Sequence, residues 1–129
     1  MIYLAQPYSS PDPLIKHQRY IEAMKVTSAI LISGQTIYSP IVHCHPMASY
    51  LIMPTDHNFW LYHDKEILKH CDSMAILFLD GWEQSRGLKE EIEFARKNSI
   101  DFFEIDYVHS TRVLFSNIHP GNILKQFTI

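Results

Sequence analysis

Cysteine, positive charge and long apolar runs are all in short supply. The two cysteines, Cys44 and Cys71, form neither a CxxC pair nor a repeated spacing, which excludes a disulfide framework. No stretch approaches the roughly 20 apolar residues that a membrane-spanning helix needs, so a soluble chain without a membrane partner is expected. The opening MIYLAQPY lacks the basic, then apolar, then small-residue order of a secretory signal, and a cytoplasmic location is the corresponding expectation. Lys and Arg number 11 against 14 Asp and Glu, for a net charge of −3, and they are scattered. Without a basic stripe to follow a phosphate backbone, polymeric nucleic acid is a poor partner. P-loop, GxGxxG and GxSxG patterns are absent as well.

What is present is ordinary globular material, 47% apolar and 19% charged over 129 residues, without internal repeats or low-complexity linkers. That length suits one domain spanning 1–129. Residues 1–5 read as a short buried strand ending at Gln6-Pro7, followed by a loop carrying Tyr8, Ser9 and Ser10. Asp12-Pro13 caps a helix with apolar positions at Tyr20, Ala23, Met24, Ile30 and Leu31, stopped by Gly34. Residues 36–39 form a second strand, and the segment from Pro40 to Pro54 is expected to be irregular, with at most one helical turn. Thr55-Asp56 caps a helix to about His70. Residues 73–79, SMAILFL, make a buried strand; a helix covers 85–98 and a strand 101–105. Strand and helix alternate throughout, which predicts a three-layer, flavodoxin- or Rossmann-like α/β fold. Its parallel sheet has four to five strands with helices on both faces, and ligands are expected at the carboxyl ends of the strands. Beyond about residue 106 the pattern weakens to a short strand near 113–115 and a short helix or extended tail.

Two acids fall where surface residues do not belong. At about 100° per residue, Leu88, Ile92 and Ala95 form the core stripe of the helix over 85–98, and Glu91 lies only about 60 to 70° from the stripe's centre. In the helix after Asp56, Trp60, Ile67, Leu68 and Cys71 all project within about 60° of Asp64. An ionised carboxylate buried without partners costs several kcal/mol, so such an acid is hydrogen-bonded, protonated or functional. The competing structural readings are a half-solvated acid favoured by the helix dipole for Glu91, and a loop cap or a pairing with Arg86 or Arg19 for Asp64. Two acids reaching one cleft from different helices suit glycosidic chemistry, in which one attacks or stabilises the anomeric carbon and the other manages protons.

The run Ser85-Arg86-Gly87-Leu88-Lys89-Glu90-Glu91-Ile92-Glu93-Phe94-Ala95 has the form SxGxxxExxxA directly after a buried strand and a short loop. It resembles the nucleophile motif of the nucleoside 2-deoxyribosyltransferase superfamily, with spacing closest to the 2'-deoxynucleoside 5'-phosphate N-hydrolases. Asp64, eight residues before Asp72, and the opening Tyr3-Leu4-Ala5-Gln6-Pro7-Tyr8, similar to a YLAGPY-like first strand and loop, extend the resemblance over about residues 1–105. It implies that Glu91 attacks the anomeric carbon, that Asp64 handles the proton, and that Ser85 and Gly87 hold a 5'-phosphate, in keeping with anion binding at a helix N-terminus. Ala5, Gln6, Pro7 and Ser9 are then substrate-binding positions, and a homo-oligomer is expected. Gln6 and Glu93 stand where relatives carry glycine, and residues 39–46 resemble a subgroup of small, uncharacterised relatives.

Eight histidines are many for this length, which makes His43, Cys44 and His45 candidate zinc ligands. Adjacent residues of an extended segment point to opposite faces and cannot all reach one ion. His43 and His45 are therefore expected to share a face as a polar wall of the cleft. Trp82, just before the nucleophile helix, is expected to contact ligand, with Trp60 in the core. Tyr8 is expected to bond the glutamate or a sugar hydroxyl, and Arg19 and Arg86 are candidate phosphate partners. The resulting reading is cleavage of the N-glycosidic bond of a nucleotide or nucleoside, by hydrolysis or base transfer and without metal or organic cofactor. A 2'-deoxynucleoside 5'-monophosphate is the favoured substrate. The alternatives are a non-catalytic nucleotide-binding module and hydrolysis of an NAD-type dinucleotide.

Overall fold

The computed structural model describes residues 1–109 and 112–129. In chain order the elements are β1 (Ile2–Ala5), α1 (Pro13–Ile32), β2 (Ile37–Tyr38), α2 (Pro40–Tyr50), α3 (His57–Leu68), β3 (Ser73–Ile76), a 3-10 turn (Trp82–Gln84), α4 (Arg86–Lys97), β4 (Asp101–His109), β5 (Arg112–Asn117) and α5 (Pro120–Leu124). The sheet order is β2-β1-β3-β4-β5. The first four strands run parallel, with Tyr3 opposite Met74 and Met74 opposite Phe102, while β5 is antiparallel to β4. This is the three-layer α/β architecture expected from the alternation of elements.

Period-two alternation divides the core between the two faces of the sheet. Tyr3, Ala5, Met74 and Ile76 pack with Leu68 of α3 and with Leu88, Ile92 and Ala95 of α4. Leu4, Ala75 and Ile105 face the other way, onto Val26 and Ile30 of α1. From β1 the chain crosses to β2 on one side and later returns to β3 on the other. That reversal opens a crevice beyond the carboxyl ends of β1 and β3.

The segment after Pro40, expected to be irregular, is instead the eleven-residue helix α2. Ser39 caps it by accepting from the Val42 amide, and Pro40 sits in the first turn, where no N–H is needed. Pro46 lies inside the helix and leaves it one backbone hydrogen bond short. Strand β3 stops at Ile76 rather than continuing to residue 79. The Leu77 amide still bonds to the Ala5 carbonyl, 2.9 Å away, and ties together the two strand ends beside the crevice. The weak pattern beyond residue 106 contains the rest of β4, all of β5 and α5. Among the described residues no helix is long and apolar enough to cross a membrane.

At Gly81 both backbone geometry and a close neighbour demand glycine. Gly81 has φ +87°, and a Cβ there would lie 2.9 Å from Nη2 of Arg19. That guanidinium donates to the carbonyls of Tyr8, Ser9 and Asp80, fastening the loops after β1 and β3 to each other. Gly81→Ala is expected to destabilise the fold by about 1–2 kcal/mol through left-handed strain and displacement of Arg19, as measured by urea unfolding.

Candidate functional site

The crevice is a cavity of about 410 Å³, walled by the end of β1 and the loop after it, Lys16 of α1, the inner side of α2, the approach to α3 with α3 itself, and the start of α4. Glu91, in the second turn of α4, is only 6% exposed. Its carboxylate accepts a hydrogen bond from the hydroxyl of Tyr3 in β1. Asp64 lines the same cavity from α3. The apolar stripe that carries it faces core at Leu68 and crevice at Asp64 and Trp60.

Burial dominates the electrostatics. It pushes the Asp64 carboxyl up to about 7. Glu91 is raised well above the usual carboxylate range, first by burial and then by the negative charge of Asp64, while the Tyr3 hydrogen bond pulls the other way. Burial and the two nearby acids hold Tyr3 protonated, so it remains a donor. The acids titrate as a pair, in which charging either one opposes charging the other. The Tyr3 hydroxyl favours the ionised form on Glu91 but does not outweigh burial and Asp64, so the retained proton belongs to the pair rather than to either carboxyl alone.

Glu90, one residue away, belongs to a different network. It bonds to His57 Nε2 at 2.8 Å and receives Arg86 Nε at 3.0 Å. Partial burial pushes its carboxyl up, but these two partners outweigh burial and hold it below the usual carboxylate range. Arg86 and His57 thus face the cavity already tied to a carboxylate. Arg19, the other candidate phosphate partner, is committed to the three loop carbonyls.

Tyr8 reaches the cavity, but its hydroxyl lies 2.5 Å from Nδ1 of His45 and not on Glu91. The tyrosine on the glutamate is Tyr3, not Tyr8. His45 stacks on Tyr20 at 4.4 Å, and its Nε2 is 3.3 Å from the Ser49 hydroxyl. Burial, then the charges of His17 and Lys16, lower its proton affinity, and burial keeps the Tyr8 phenol protonated. The contact thus joins a phenol to an imidazole that favours its neutral form.

His43 and His45 do not share a face, because α2 is a helix and residues two apart are about 200° apart on it. His43 is exposed and packs on Tyr38, while Cys44 and His45 line the cavity. Burial, then the charge of Asp64, raises the Cys44 thiol to about 11. Among the described residues no group of three or more His, Cys, Asp or Glu side chains is placed to hold a metal ion.

The tryptophans exchange their expected places. Trp82 lies against Phe78 and Phe127, outside the cavity wall, whereas Trp60 lines it. Sequence periodicity placed Trp60 on the face of Asp64, but the upper part of that face turns to the crevice rather than the core. Ala5 and Pro7 are buried beside the cavity rather than in its lining. Gln6 does line it; 4% exposed, its amide donates to the Arg19 carbonyl at 3.0 Å, while its Oε1 has no partner among the described residues. Ser9, Ser85 and Gly87 all line the cavity. Ser85 caps α4 by accepting from the Leu88 amide, which leaves its hydroxyl hydrogen free. A Cβ on Gly87 would come no closer than 3.9 Å to His57, so packing alone does not require glycine there. Asp72 opens β3 on the surface and contacts only the chain's amino group among the described ion pairs.

The sequence model of a family described as Domain of unknown function (DUF1937) matches residues 1–106, a span that includes every residue of the cavity wall. No curated protein matches the chain.

Proposed function

We propose that the chain, which belongs to the family described as Domain of unknown function (DUF1937), cleaves the N-glycosidic bond of a nucleotide or nucleoside, with a 2'-deoxynucleoside 5'-monophosphate favoured. The observation that carries this reading is the buried carboxyl pair: Glu91 held by Tyr3, and Asp64 raised to about 7, in one cavity at the strand ends. A protonated acid and an ionised nucleophile at the same pH are what displacement at an anomeric carbon requires. The resemblance of SxGxxxExxxA to the nucleoside 2-deoxyribosyltransferase motif supports it at the same residues.

In the proposed cycle the Glu91 carboxylate attacks C1' as the C1'–N bond breaks, and Asp64 delivers its proton to the departing base. A glycosyl ester on Glu91 results. Water then attacks C1', giving its proton to the Asp64 carboxylate and releasing the sugar and the Glu91 carboxylate; a second base in place of water gives transfer. The Arg86 and Gly87 amides at the start of α4, the Ser85 hydroxyl and Ser9 offer donors to a 5'-phosphate, with Lys16 adding positive charge. The test is whether free base and reducing sugar phosphate appear in equal amounts from a deoxynucleoside monophosphate. Binding of nucleotide with no base released from nucleosides, nucleotides or NAD would reassign the cavity to a binding module.

Tyr3 acts through Glu91 as a positioning residue. Tyr3→Phe removes the donor that favours the ionised carboxylate. The acid limb of the kcat/KM profile is therefore expected to move to higher pH by about one unit. A purely structural role for the hydroxyl would lower activity without moving that limb.

A further inference from the structure

We infer that Trp60 is the platform on which the leaving base stacks. The inference rests on the glycosidic reading above and names the part of the substrate that each wall recognises. The Trp60 ring is fixed at two points: its Nε1 donates to the Pro54 carbonyl at 2.8 Å, and Phe59 abuts it edge-on at 5.0 Å with an interplanar angle of 86°. With its only polar atom committed to backbone, what the indole offers the cavity is apolar surface and a π face. Met53, Pro54 and Leu61 continue that apolar surface, and Ile41 and Ala48 of α2 add further apolar lining. Sugar hydroxyls and phosphate have no partners there, whereas a base does.

The placement also fits the chemistry. Trp60 and Asp64 are four residues apart on α3, a rise of about 6 Å along one face. The two side chains are thus neighbours on one wall, where a base on the indole can present a ring nitrogen to the acid that protonates it. Aromatic stacking is tolerant of base identity, since every base has a π face, so this wall selects for an aromatic leaving group without choosing among the bases.

Trp60 and Trp82 are the chain's two tryptophans, and Trp82 lies outside the cavity wall, so indole fluorescence reports the platform directly. Glu91→Gln protein would be titrated with each deoxynucleoside 5'-monophosphate and, as a base-free control, with 2-deoxyribose 5-phosphate. The nucleotides are expected to quench emission, the sugar phosphate to leave it unchanged, and the quench to persist with Trp82→Phe and vanish with Trp60→Phe. In otherwise wild-type protein, Trp60→Leu is expected to raise KM about 10-fold or more, within the range of one lost base stack. Equal quenching by the sugar phosphate, a quench that survives Trp60→Phe, or an unchanged KM in folded Trp60→Leu protein would overturn the platform. Quenching without base release from wild-type protein would instead defeat the catalytic reading and leave the platform standing. Absence of both nucleotide binding and base release would overturn the two together.

Discussion

Asparagine at position 64 is expected to cost turnover and gain stability, and the two effects should follow pH together. Loss of the proton donor for the departing base is expected to lower kcat by about 10²–10⁴-fold. The stability effect has the opposite sign. Asp64 titrates near 3.8 in the unfolded chain and near 7 in the fold. Between those values the native protein holds a proton that the unfolded chain has shed, so wild-type stability falls as pH rises through this window. Asparagine does not titrate and removes that loss. Asp64→Asn is thus expected to match the wild type near pH 4 and to exceed it by about 1–3 kcal/mol above pH 7, as measured by urea unfolding across the range. A gain that is flat with pH would mean that the fold does not raise the Asp64 carboxyl. Stability given up at an acid and recovered by removing it marks a residue kept for function.

Glutamine at position 91 is expected to have the larger kinetic effect, lowering base release by about 10³-fold or more, because it removes the nucleophile rather than a proton donor. The side chain keeps its shape and an oxygen that accepts from Tyr3, so the fold and nucleotide affinity should survive. Rapid mixing of wild-type protein with substrate, followed by acid quench and intact-mass measurement, should reveal a glycosyl adduct when ester hydrolysis is the slow step. In Glu91→Gln no adduct should form under any mixing time. An adduct of equal yield in the variant would place the nucleophile elsewhere in the cavity.

Both acids were legible in the sequence because helical periodicity depends only on spacing: Glu91 at the stripe's edge is 6% exposed, and Asp64 in its stripe lines the cavity. What periodicity could not tell is whether an apolar stripe faces core or crevice, and that is why Trp60 and Trp82 exchanged places. Tyr3 escaped notice as the partner of Glu91 although a signal was there. Alternation along β1 puts Tyr3 on the face of Ala5, toward α4, and a buried tyrosine hydroxyl needs a partner. Helix α2 was hidden by Pro40 and Pro46, residues that stop helices in most contexts but here occupy the first turn and a tolerated interior position. The error over His43 and His45 followed from it, since a strand would have aligned them and a helix separates them. The order of strands was legible to the extent that alternating elements demand a switch point. The antiparallel β5 was not, because its pairing with β4 is a tertiary choice that the local pattern beyond residue 106 does not encode.

The central claim, that Glu91 cleaves a glycosidic bond to a nucleobase, is tested most directly by chromatography of free base. Wild-type and Glu91→Gln proteins would be incubated side by side with ribo- and deoxyribonucleosides, their 5'-monophosphates and NAD. Base release by the wild type, fastest from a deoxynucleoside monophosphate, and its loss in the variant are expected. No release from any of these compounds by folded wild-type protein, or equal release by Glu91→Gln, would contradict it.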